Sequence, residues 1–227
     1  MTKMPVAAAF VAAALLMAGQ ARAQERSVIS LTPAESAQWD LAGQVGWLAS
    51  NKPDIGAEWD DWYDALSGGV SVGRYLTPHF KTEIHAAMAS EGRIYSQDPV
   101  LLTAPVPAYR SREHYFRTAS AGAGVSYQFF ENQWFHPFAG GGLDVVREHH
   151  RVHVPEQFLP QRGPGIPAVS VPAVSFAPEV SYAARPFVTT GFKWYVAERG
   201  FLRTSIQASF SRGTTHIAWT AGIGADL

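Results

Sequence analysis

Apolar and polar positions alternate along most of this chain with a period of two, the spacing of a β-strand with two unlike faces. The clearest run closes the sequence. Ile217, Trp219, Ala221, Ile223, Ala225 and Leu227 make one face, and His216, Ala218, Thr220, Gly222, Gly224 and Asp226 make the other. Similar runs occupy 38–49, 62–76, 80–95, 112–130, 134–153, 180–196 and 201–212, so eight strands are predicted. Short turns are expected at 77–79, 131–133 and 197–200, and Gly213 turns the seventh strand into the eighth. Longer connections fall at 50–61, 96–111 and 154–179. The last contains Pro155, Pro160, Pro164, Pro167, Pro172 and Pro178, too much proline for a ladder, and reads as the longest loop.

The two faces differ in a way that sets the medium. The apolar face carries bulky aromatics near the strand ends: Trp39, Trp47, Tyr127, Phe129, Phe135, Trp194 and Phe201. The opposite face carries Gly, Ser, Thr and a few charges of both signs. A soluble barrel buries its apolar face and wets its polar one. Small residues instead suit the narrow lumen of an eight-stranded barrel whose outside meets lipid. An even strand count, with short turns at one end and long loops at the other, fits the same reading. The expected fold is all-β: an eight-stranded antiparallel up-and-down transmembrane β-barrel over 38–227. A periplasmic lipocalin-like barrel is the structural alternative. The facing of 62–76 stays open, because placing Val70, Val72 and Leu76 outward also places Arg74 there.

The N-terminus changes what belongs to the fold. Lys3, the apolar run Val6 to Met17 and the Ala21-Arg22-Ala23 site read as a secretory signal peptide over 1–23, cleaved before Gln24. Residues 24–37 lack periodicity and read as a periplasmic leader. Beyond the signal there is no apolar run long enough for a membrane helix, which leaves either a soluble exported protein or a closed barrel. Cysteine is absent, which excludes a disulfide framework and Cys-ligated metals. The formal charge is −1, or −3 once Lys3 and Arg22 leave with the signal (16 basic against 19 acidic residues). Nothing electrostatic points to nucleic acid. No cofactor is expected.

With the signal peptide, the eight dyad segments, Val72-Gly73-Arg74-Tyr75-Leu76-Thr77-Pro78 and the closing strand, the chain resembles the small eight-stranded Gram-negative outer-membrane barrels. These are the OmpA transmembrane domain and the OmpX- and OmpW-like families, and the resemblance covers 38–227. It implies outer-membrane location, a monomer, and recognition of the closing strand by the barrel-assembly machinery. Family members typically end on an aromatic residue, where this sequence has Leu227. No peptidoglycan-binding domain is expected after the barrel.

Candidate chemistry is sparse. Lys81, Glu83, Asp144, Lys193 and Arg203 fall on the small face and are expected to form a charge network in the lumen. Arg112, Arg117, Arg147 and Arg151 lie at the long-loop ends and are candidate contacts for lipopolysaccharide phosphates through charge-assisted hydrogen bonds. In Glu148-His149-His150-Arg151-Val152-His153 alternation splits the three histidines between faces, which opposes a metal site on one regular strand. A lipid A deacylase carries His and Ser two apart, and none of the eight histidines here has Ser two residues later. The expected function is therefore a structural or interaction role, with the long loops meeting partners or lipopolysaccharide. A narrow pore or hydrophobic-solute channel is the alternative, ahead of a lipid-modifying enzyme.

Overall fold

The computed structural model describes residues 38–55, 61–100, 108–130, 134–159, 169–211 and 213–227. The signal peptide, the 24–37 leader and the 131–133 turn lie outside them. Among the described residues twelve strands alternate with short connections: β1 (Trp39–Asn51), β2 (Trp62–Tyr75), β3 (Phe80–Ala89), β4 (Gly92–Val100), β5 (Ala108–Gln128), β6 (Phe135–Val154), β7 (Gln157–Leu159), β8 (Val169–Val171), β9 (Val174–Ser175), β10 (Glu179–Tyr195), β11 (Gly200–Ser211) and β12 (Thr214–Asp226).

Eight staves close on themselves in the order β1, β2, β3 with its continuation β4, β5, β6, β10, β11 and β12, all antiparallel, and β12 pairs back with β1. The stagger follows from the registers. Stepping from Asp40 to Gly73, Glu83, Gly124, Gly142, Phe187, Ser209 and His216 returns to β1 at Ser50, ten residues beyond the start. With ~3.3 Å per residue and ~4.8 Å between strands, that shear tilts the staves by about 40°. No edge is left within the barrel.

The barrel is inside-out relative to a soluble protein. Leu41, Val45, Leu66, Ile84, Val125 and Ile223 are exposed on the outer surface. Among the described residues the buried polar side chains outnumber the buried apolar ones, 18 to 13. Such an apolar belt has a solvent in lipid and not in water. Trp39, Phe80, Trp134 and Trp194 ring its short-turn end, and Trp47, Trp62, Tyr182 and Trp219 its long-loop end. In β2, Val70, Val72 and Arg74 face out, as does Leu76 just beyond it, and Arg74 lies 5.4 Å from the Trp39 ring centre, which shields it at the rim.

Four sequence expectations need correction. Phe201 faces the lumen, 2% exposed, and is no part of the aromatic girdle. The predicted 80–95 strand breaks at Ser90 and Glu91, where the Ser90 backbone and hydroxyl both bond to Leu66 of β2. Parity flips there: Lys81, Glu83, His85 and Ala87 point inward before the break, Gly92, Ile94 and Ser96 after it, and Glu91 is exposed. The expected 96–111 loop is largely ladder, because β4 and β5 extend as a hairpin past the apolar belt, paired from Gly92↔Phe116 to Val100↔Ala108. Pro99 fits there because β4 pairs only with β5 in this segment. The proline-rich stretch also carries ladder in its proline-free gaps: β7 pairs with β8, and β9 pairs with the end of β6.

Candidate functional site

Inward glycines give the lumen room for large polar side chains. A Cβ at Gly73 would strike the side chains of Asp40 and Lys81, and one at Gly224 would strike the Phe201 ring. The space so cleared holds three tiers of charge.

The first tier closes the short-turn end. Lys193 on β10 lies 2.5 Å from Asp226 and 3.3 Å from Asp40, and donates to the Tyr75 hydroxyl at 2.8 Å. Its ammonium sits 3.8 Å from the Phe201 ring centre, which is why that aromatic belongs inside. Lys81 lies 3.0 Å from Asp40 and 2.6 Å from Glu83. Arg203 clamps Glu83 with both terminal nitrogens, at 2.7 and 2.9 Å. The Tyr75 hydroxyl donates to Asp40 at 3.1 Å, and the Tyr195 hydroxyl donates to Asp226. Three cations thus face three carboxylates with no net charge, and six strands are stitched across the lumen.

The second tier sits around a cavity of about 110 Å³, large enough for a few waters. His85 and Gln207 each reach Asp144 at 2.7 Å. Above it, the third tier joins Lys52 to Glu148 at 2.5 Å and Arg185 to the same carboxylate at 3.8 Å, with His216 against Arg185 and 3.3 Å from the Ser50 hydroxyl.

An apolar lid covers these tiers. Tyr63, Ala65, Ala89, Ile94 and Phe116 form a buried cluster. From it a column of four near-parallel rings runs outward: Tyr63 on Phe116 at 5.0 Å, Phe116 on His150 at 4.5 Å, and His150 on His114 at 5.3 Å. His114 links to His150 at 3.1 Å and to the Ser96 hydroxyl at 2.8 Å.

Of the predicted network, Lys81, Glu83, Lys193 and Arg203 come together in the first tier, while Asp144 belongs to the second. Asp40, Tyr75 and Asp226 complete the first tier and were not singled out. Their signal was inward parity on the first, second and last staves. Of the predicted rim residues, Arg117, Arg147 and Arg151 are exposed and share the outward parity of β5 and β6. Arg112 has the opposite parity and pairs with Asp98 on β4, so it does not join them. His149 and His153 face out and His150 faces in, and among the described residues no group of three or more His, Cys, Asp or Glu is placed to hold a metal ion.

The histidine column lies beyond the apolar belt and carries a pH prediction. Burial, then the neighbouring His150 and Arg112, hold His114 down to about 4, with Asp98 pulling the other way. Burial also lowers His150, against the pull of Glu148 and Glu179. A depressed histidine favours the neutral fold, so its contribution is complete above the ordinary value near 6.5 and is lost as pH falls toward 4. Limited proteolysis of the β4–β5 hairpin should therefore accelerate between pH 6.5 and 4 while the barrel stays resistant. His114→Phe should flatten that dependence.

No protein-family model matches the chain, and no curated protein matches it. Among solved structures, Neisserial surface protein A superposes with a TM-score of 0.54 at 12% identity, over 85% of this chain and 98% of that one. Ail of Yersinia pestis gives 0.47 at 9% identity over 83% and 98%. The N-terminal β-barrel domain of Pseudomonas aeruginosa OprF gives 0.41 at 12% over 81% and 96%. At such identities the likeness is one of fold, and the Neisserial match together with the eight closed staves makes the chain a small barrel of the outer-membrane type.

Proposed function

We propose that this eight-stranded barrel is an integral protein of the Gram-negative outer membrane. It acts as a sealed anchor that carries the β4–β5–β6 extension and the proline-rich segment to the cell surface. The observation that carries the reading is the lumen itself. Its charged groups are engaged with one another in three tiers beneath an aromatic lid, with a small cavity among them. An ion crossing it would have to separate the Lys193–Asp226 and Arg203–Glu83 pairs. The short turns then face the periplasm and the long loops the outside, the usual sense for such barrels. A structural or interaction role follows, with partners met by the surface extension and not through the lumen. The proposal is non-enzymatic, and biogenesis through the barrel-assembly machinery goes with it.

Two measurements test this. Cell fractionation with heat-modifiable gel mobility should place the protein in the outer membrane as a compact, heat-sensitive species. In planar bilayers the refolded protein should give no large stable conductance. Steady channels of porin size would overturn the sealed reading in favour of a pore.

A further inference from the structure

We propose that the outward face of β5 and β6, just above the apolar belt, binds the phosphates of lipopolysaccharide, with Arg117 and Arg147 as the principal ligands. The proposal rests on the outer-membrane reading above and specifies one sector of the rim.

Its basis is the register. Arg117 pairs directly with His149. Arg147 and Arg151 stand two residues to either side of His149 on the same face, so both are diagonal neighbours of Arg117 at roughly 7–8 Å. Three guanidinium groups and an imidazole therefore crowd one patch on two adjacent strands. Like charges so placed repel unless an anion lies between them. The protein supplies only part of that anion. Arg151 reaches Glu91 at 3.4 Å and stacks 4.8 Å from the Tyr115 ring centre. Arg93, opposite Tyr115 on β4, lies 3.9 Å from Glu113. Arg117 and Arg147 are exposed, and among the described residues no carboxylate stands within ion-pair distance of either.

Position selects the occupant. Directly below the patch on the same staves lie Ala121, Val125, Leu143 and Val145, all exposed to the lipid side. An anion held here must sit where the hydrocarbon ends. Tyr182, 70% exposed and paired with Arg147, adds an amphipathic ring at the same height. Among the described outward-facing positions at this height, the other staves offer no such cluster: β1 and β12 present Trp47 and Trp219, and β2 presents Asp64. A headgroup with two phosphates can bridge Arg117 and Arg147, each through forked N–H donors. The phosphorylated glycolipid of the outer leaflet has that chemistry, and it brings more phosphate charge to the patch per headgroup than a phosphodiester does.

The test uses the full-length refolded protein in detergent and measures binding of purified lipopolysaccharide, its enzymatically dephosphorylated form, phosphatidylglycerol and inorganic phosphate. Lipopolysaccharide should bind the parent protein at least tenfold more tightly than the other three. Arg117→Ala/Arg147→Ala should lose that preference by tenfold or more, while Arg112→Ala, on the opposite face, should keep it. Undiminished binding by the double variant, or equal affinity for dephosphorylated lipopolysaccharide, overturns the site. Equal binding of phosphatidylglycerol or inorganic phosphate overturns the commitment to a two-phosphate headgroup. Fractionation of the same variant separates this from the broader reading: a variant still heat-modifiable in the outer membrane but unchanged in binding removes the site alone, and a parent protein absent from that membrane removes both.

Discussion

Replacing Lys193 with methionine is expected to destabilise the barrel by about 3–5 kcal/mol, the usual cost of removing one partner of a buried ion pair. The side chain is 2% exposed and is the hub of the first tier. Its loss leaves Asp226 with only the Tyr195 hydroxyl, and leaves Asp40 to Lys81 and Tyr75. Three carboxylates then face two cations in a closed lumen. Methionine has nearly the length of lysine, so the defect is electrostatic and not a cavity. The measurement is urea unfolding in detergent micelles, followed by the loss of heat-modifiable mobility. Lys193→Met/Asp226→Asn restores neutrality and should recover more than half of the loss. If the double variant is no better than the single one, the tier is held by packing around Phe201 and not by charge balance. The same single variant is also the one in which conductance should first appear, because the seal at the short-turn end depends on this pair of contacts.

The sequence disclosed the strands and their faces well, and the reason is physical. A stave between lipid and a narrow lumen has no third environment, so its alternation is strict. The outward face predicted for the last strand is exposed at Ile217, Trp219, Ala221, Ile223 and Leu227, and its other face is buried or half-buried throughout. Two features escaped this logic. At Ser90 and Glu91 one extra residue flips the parity. The pattern downstream (Arg93, Tyr95 against Ile94, Ser96) is itself ambiguous once the strand leaves the membrane and both faces can be wet or covered. Phe201 was misplaced because bulk alone reads as lipid-facing. Its true site depends on Gly224, its pair on the adjacent strand β12, and on the ammonium of Lys193, and neither is local in sequence. The candidate sites show the same limit. Parity assigned Lys81, Glu83, Lys193 and Arg203 to the lumen, but which cation meets which carboxylate depends on the shear of ten residues, which only the assembled registers reveal. Arg112 fell from the rim set for a simpler reason: it is an odd number of residues from its expected companion Arg117, so it points to the other face.

The second large effect concerns closure. Substituting valine at both Gly46 and Gly222 should prevent the barrel from forming, as shown by loss of the heat-modifiable species and of protease resistance after refolding. These glycines lie on opposite sides of the β1–β12 seam, at Gly46↔Thr220 and Gln44↔Gly222. A Cβ at Gly46 would overlap the Trp219 carbonyl, and one at Gly222 would overlap the Gly43 carbonyl. The obstacle in each case is backbone of the partner strand, which cannot rotate away as a side chain can. Overpacking a well-filled interior costs about 1–3 kcal/mol where side chains can adjust. Here the adjustment would have to be separation of the strands. The seam is also the contact longest in sequence, joining residues about 175 apart, so it forms against the largest loop-closure entropy in the protein. A strand pair that closes last and cannot approach leaves two open edges facing hydrocarbon, where each unpaired backbone group costs several kcal/mol. Gly43→Val is the control. It lies on the same strand but faces lipid with nothing near its Cβ, so it should refold with normal mobility. Loss of folding in Gly43→Val as well would mean that β1 needs glycine for backbone freedom, and not for close approach at the seam.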